Sequence, residues 1–187
     1  MDWDYGVTPE SSAVAQVKPA YSPFVDGAFV DGTGAPSTAW NPATDAPLTE
    51  VRAAGAAEVD RAVAAARRAQ PTWAGITGGD RARLLVRLAG AVAGRAAELA
   101  VLETLGTGRL VRLTRDVDLP TAVAHLQSCA GWADKPGYAG HGPDPRPLGV
   151  VGARVGGGPA LLTPCRGSRR RWPAGTRLCS CRTRTPR

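Results

Sequence analysis

The run Leu148-Gly149-Val150-Val151-Gly152-Ala153-Arg154-Val155 constrains this chain most. Apart from Arg154 it is apolar on both faces, and a strand of that kind needs cover above and below, as in a buried parallel sheet. It is preceded by a series of helical patterns and followed by Gly156-Gly157-Gly158-Pro159, a glycine-rich turn. Helices leading into such a strand and turn predict the entry to an α/β nucleotide-binding sheet.

The helical patterns are clear. In 58–69, Val59, Ala62, Val63, Ala66 and Ala69 recur at helical spacing. Asp80 is a candidate cap for a second helix bearing Leu84, Leu85, Leu88, Ala89 and Val92. Gly94 interrupts it, and Leu99, Leu102 and Leu105 continue a third segment to Gly106-Thr107-Gly108. Asp116-Val117-Asp118-Leu119-Pro120 opens a fourth helix, its proline suited to a first turn or a kink, that runs to about Trp132.

Upstream, residues 1–20 read as an irregular arm. Phe24-Val25-Asp26-Gly27-Ala28-Phe29-Val30 predicts a β-hairpin, because Asp-Gly supplies the positive φ angles of a type I′ turn. A Gly/Pro/Ser/Thr stretch over 31–38 leads to the turn cluster Trp40-Asn41-Pro42-Ala43-Thr44-Asp45. A short strand is expected over 48–52.

Charge and cysteine are unevenly distributed. The net charge of +7 suggests a nucleic-acid ligand. However, residues 164–187 hold eight arginines and no acidic residue, and the first 163 hold 15 basic against 16 acidic residues. The body is nearly neutral and argues against nucleic acid as its ligand. Three of the four cysteines (Cys165, Cys179, Cys181) also lie in this tail, at spacings unlike common zinc sites. A single body cysteine, Cys129, fits a reducing cytoplasm. The acidic start lacks a signal-peptide core, and no segment reaches the roughly 20 apolar residues of a membrane span.

Six motifs in register resemble one family. They are Phe24-Val25-Asp26-Gly27, Asn41-Pro42-Ala43-Thr44, Glu58 through Ala66, Leu102-Glu103-Thr104-Leu105 with Gly108, Asp116 through Pro120 with Ala130-Gly131-Trp132-Ala133-Asp134-Lys135, and Pro147 through Gly152. Their order and spacing are similar to those of the aldehyde dehydrogenases, over roughly residues 21–163. The resemblance implies an α/β fold beginning with a β-hairpin, a helical layer and the first strand of a Rossmann-type sheet, incomplete in a chain of 187 residues. It also implies NAD(P)-dependent oxidation of an aldehyde to a carboxylic acid, with a homo-oligomeric intact parent.

In that family a cysteine thiolate attacks the aldehyde, hydride passes to a nicotinamide, and a glutamate activates water; both residues lie downstream of the first cofactor strand. The resemblance therefore assigns no catalytic residue here, and an N-terminal fragment inactive by itself is expected. Cys129, on the helix before Trp132, reads as a small core residue. For the cofactor, NAD or NADP, it points to Val155, Gly156 and Gly157. Gly158 stands where the family usually has an asparagine that donates to the oxyanion, a loss worth on the order of a hundredfold in rate. It further points to Asp118, with backbone from Trp40, as a monovalent-cation ligand; an acid stabilised by a helix dipole is an equal reading of Asp118.

The tail allows two functional readings and a genetic one. Arg169-Arg170-Arg171-Trp172 could bind RNA or phosphate as part of a small basic interaction protein. Alternatively, a shift to Arg, Cys, Ser, Thr, Pro and Trp is what GC-rich DNA yields out of frame. Back-translated and moved by one base, the tail permits Ala-Pro-Ala-Leu-Ala-x-Gly-Asn-Thr-Val-Val-Leu-x-Pro, the segment the family carries at this distance. A frameshift near Pro164, followed by a disordered tail and leaving the strand at 148–155 without a neighbour, is therefore expected.

Overall fold

The computed structural model describes residues 11–139, 147–155 and 159–168, together with the backbone of a strand at 177–182. Its first elements are short. A 3₁₀ turn at Ser12–Val14 precedes β1 (Ala20–Tyr21), β2 (Phe24–Val25) and β3 (Ala28–Phe29). β2 and β3 form the expected hairpin, pairing Phe24 with Phe29 and Val25 with Ala28. Asp26 and Gly27, at φ 54° and 86°, both occupy the positive-φ region that this turn requires.

β4 (Pro36–Asn41) and β5 (Ala46–Arg52) are antiparallel, with a bulge between Ala39 and Trp40, and β1 adds to β5 in parallel. β4 was not foreseen. Its Pro36, Ser37 and Thr38 read as loop residues, but β4 lies at the edge of the β1-β5-β4 sheet, where a proline at the strand start costs no ladder bond. The arm likewise has an anchor: Thr49 Oγ1 donates to the Lys18 carbonyl at 2.7 Å, and the Glu50 amide donates to Pro19 at 3.0 Å.

Three longer helices follow: α1 (Ala56–Gly75), α2 (Gly78–Gly94) and α3 (Ala96–Thr107). α1 runs beyond the expected Ala69, carrying Pro71 in its last turns. The start of α2 differs from expectation. Thr77, and not Asp80, is the N-cap; its hydroxyl accepts from the Asp80 amide at 3.1 Å and donates to the Asp80 carboxylate at 2.6 Å. Asp80, at the third helical position, thus braces the capping hydroxyl through its side chain. α3 ends on Gly108 at φ 73°, whose amide donates to the Thr104 carbonyl. A short α4 (Val111–Leu113) and a π-helical turn at Thr114–Asp118 then feed α5 (Leu119–Trp132), which ends where expected.

β6 (Val150–Val155), α6 (Leu162–Ser168) and β7 (Arg177–Arg182) complete the described structure. β6 and β7 pair in parallel over six residues, from Val150↔Arg177 to Val155↔Arg182. This corrects the expectation of a β6 without a neighbour. An intervening helical crossover is the connection that lets the second strand return in the same direction. Within the segment expected to be disordered, 164–168 belong to α6 and 177–182 to β7; the remainder lies outside the described residues.

The core lies on the seam of α2 with α5, closed by α6. Ala89, Ala122, Leu126, Leu162 and Cys165 form one buried cluster, supported by Val92, Val123 and Leu161; Leu85, Cys129 and Ala130 form the next. A second anchor is polar. The buried Glu58 carboxylate accepts from the Thr33 hydroxyl (2.6 Å) and amide (3.3 Å) and from the Gly55 amide (2.7 Å), while Arg61 pairs with its other oxygen. These bonds, led by the Thr33 hydroxyl, hold the Glu58 carboxyl down at about 2. One side chain thereby ties the loop after β3 to the start of α1.

Candidate cofactor-facing site

The β6–α6–β7 unit has the geometry in which parallel sheets bind nucleotides, at the carboxyl ends of their strands. Val155, the last residue of β6, is buried. Gly156 and Gly157, and Gly158 at the family's asparagine position, lie outside the described residues. The chain re-enters at Pro159-Ala160, and α6 begins two residues later.

α3 reaches this point from the helical layer. Glu103 is buried, and its Oε1 accepts from the Ala160 amide at 2.5 Å. A cavity of about 250 Å³ lies alongside, lined by Leu99, Leu102, Glu103, Gly106, Thr107, Ala160 and Leu161. It falls below the roughly 300 Å³ at which small-molecule pockets begin. The sequence reading missed Glu103 as a site residue. A signal existed: Leu99, Glu103 and Gly106 share one helix face, and an acid on an apolar face needs a partner.

Asp118 does not sit as a cation ligand should. Its carboxylate is buried and forked by Arg109, with Nε donating to Oδ2 at 2.8 Å and Nη2 to Oδ1 at 3.3 Å. A monovalent ion there would have to displace a covalently tethered cation bound to both oxygens. Both carboxylate oxygens of Asp118 are thus engaged by Arg109. Trp40, the other expected ligand, is on β4 opposite Pro47. The Asn41-Pro42 turn does meet the end of α3, since a Cβ on Gly108 would lie 2.8 Å from Pro42 Cγ. Two of the motifs recognised in sequence are therefore in contact.

Both described thiols lie in the core. Cys129 and Cys165 are outside any disulfide and are buried. Burial, with a smaller contribution from Cys129, pushes the Cys165 thiol up to about 11, so it stays protonated at neutral pH. A nucleophilic cysteine needs the opposite environment: exposed, electropositive and lowered. Cys129 packs beside Leu85 and Ala130, as a core residue should.

The comparisons with known proteins fit this geometry. Residues 29–153 match the model of the aldehyde dehydrogenase family. DhaS of Bacillus subtilis (strain 168), a protein assigned provisionally to the aldehyde dehydrogenases, is 40% identical over 115 residues, covering 60% of this chain and 23% of DhaS. PnpE from Pseudomonas sp. WBC-3 superposes with a TM-score of 0.77 at 30% identity, covering 86% of this chain and 35% of PnpE. The NAD+ complex of an aldehyde dehydrogenase from Bacillus cereus superposes with a TM-score of 0.80 at 27% identity, covering 94% and 38%. This chain thus spans about a quarter of the curated relative and just over a third of the solved ones. On the family match and the shared fold together, the chain belongs to the aldehyde dehydrogenase family.

Proposed function

We propose that these 187 residues are part of a machine for NAD(P)-dependent oxidation of an aldehyde to a carboxylic acid, and that alone they do not turn over. Two structural relatives, PnpE and the Bacillus cereus enzyme, carry nicotinamide adenine dinucleotide, which supports the cofactor class. When bound, such a cofactor accepts hydride. This chain's own contribution is the start of the nucleotide-facing strand, Val155 with Gly156 and Gly157, backed by the helical layer.

The observation that carries the proposed inactivity is the state of the thiols: both cysteines of the described residues with side chains are in the core, and one is held protonated. Glycine at 158 supplies no side-chain donor to a developing oxyanion. Thiols outside any disulfide also support a reducing cytoplasmic location. A homo-oligomeric parent and an out-of-frame segment from about Pro164 belong to the same proposal; an uninterrupted reading frame on resequencing would remove the second.

The direct test offers propanal with NAD or NADP to the purified 187-residue chain. No sustained formation of reduced nicotinamide is expected, and steady turnover would overturn the proposed inactivity.

A further inference from the structure

The entry to α6 is held by two different forces. From Leu162 onward the helix is fixed by packing, because Leu162 and Cys165 belong to the buried cluster with Ala89, Ala122 and Leu126. Ahead of Leu162, Leu161 still packs against that cluster, but Ala160 faces the 250 Å³ cavity. What reaches across that space is Glu103, whose carboxylate takes the Ala160 amide from 57 positions away in sequence.

Glu103 is itself well anchored. Thr107 Oγ1 donates to its carbonyl at 2.6 Å. Next to Glu103 on α3, Thr104 Oγ1 bonds to Thr114 Oγ1 at 3.1 Å, and the buried Thr114 hydroxyl also bonds to the Ala100 carbonyl at 3.3 Å. The acceptor is therefore attached to the rigid helical layer. The donor sits on the segment that must begin α6 in the right place. Pro159 is fixed in turn from α6, whose Thr163 donates to the Pro159 carbonyl from its amide (3.1 Å) and its hydroxyl (2.8 Å).

We propose that Glu103 is a positioning residue: a cap supplied by a distant helix, it sets where the chain re-enters after the glycine turn and so the geometry of the nucleotide-facing end of β6. This role rests on the nucleotide reading above for its purpose, but not for its physics. A carboxylate accepting a backbone amide at a helix entry is a charge-assisted bond. Its loss frees the Pro159–Ala160 entry beside the pocket, while the α2–α5 seam, held by its own buried cluster, stays folded.

The test is residue-resolved amide hydrogen exchange on the 187-residue chain, comparing the native protein with Glu103→Ala and Glu103→Gln. In Glu103→Ala the Ala160 amide is expected to exchange about tenfold faster or more, the factor one charge-assisted hydrogen bond supplies. Amides of Leu85 and Leu126 should keep their native rates. Glu103→Gln retains an acceptor oxygen and should restore most of the protection. Unchanged exchange at Ala160, an equal acceleration of every amide, or a glutamine variant no better than alanine would each overturn the proposal. NAD titrated into the same samples is a separate arm: a flat titration bears on the nucleotide reading and leaves the cap standing.

Discussion

The Arg109–Asp118 pair makes an asymmetric prediction. The Asp118 side chain is 6% exposed and the Arg109 side chain 35%. Removing the aspartate leaves an arginine that can still reach water, so Asp118→Ala should cost about 1.5–3 kcal/mol, the range of one hydrogen bond to a charged group. Removing the arginine leaves a carboxylate buried without its partner, and Arg109→Ala should cost about 3–5 kcal/mol. At roughly 2–4 °C per kcal/mol for a chain of this size, the two midpoints should separate by several degrees. The double variant Arg109→Ala/Asp118→Ala should be more stable than Arg109→Ala alone, because the stranded charge is gone. Thermal melts followed by far-ultraviolet circular dichroism report all three. Equal losses in the two single variants would refute the reasoning, as would a native melt raised saturably by sodium or potassium over choline at matched ionic strength. That last result would restore the cation site.

Other expectations follow from the buried groups. The Glu58 carboxyl is lowered from 4.5 to about 2, so the stability it contributes is complete above the unfolded value and lost as pH falls from about 4.5 towards 2; Glu58→Gln should flatten that part of a melting-temperature profile. Leu126→Ala should cost about 2–5 kcal/mol by opening a cavity on the α2–α5 seam, measured by urea unfolding. Gly108→Ala should cost about 1–2 kcal/mol from positive φ alone, and more because its methyl would strike Pro42; a melt indistinguishable from native would contradict both. With Cys179 and Cys181 changed to serine, a disulfide reagent at pH 8 should modify Cys129 and Cys165 only after denaturant is added; rapid labelling of the native chain would contradict their burial.

Much of the backbone was legible because its signals are local. Asp26-Gly27 demands a hairpin turn, the apolar period of α1 and α2 demands helices, and the Gly108 position demands a helix end. The errors arose where a local sign had a competing reading. Asp80 is a good cap by type, but Thr77 three residues earlier is better placed, and the acid then joins the cap from inside the helix. Pro36-Ser37-Thr38 reads as loop, yet β5 offers it a ladder partner that only the tertiary fold reveals. The partners in the polar links Thr33–Glu58, Arg109–Asp118 and Glu103–Ala160 were not legible, since nothing in one residue names its partner across a folded chain. For Asp118 this reversed the chemistry: the residue type suits a cation, and the fold provides one as a guanidinium.

The parallel pairing of β6 with β7 bears on how the molecule assembles. A hairpin such as β2–β3 can zip from its own turn, but parallel neighbours must first bring together distant ends through a crossover, and the entropy of closing that loop is lost before any rung of the ladder forms. The crossover carries α6, whose Leu162 and Cys165 are buried with Ala89, Ala122 and Leu126 on the α2–α5 seam. The ribbon therefore carries a loop-closure cost that the β2–β3 hairpin does not.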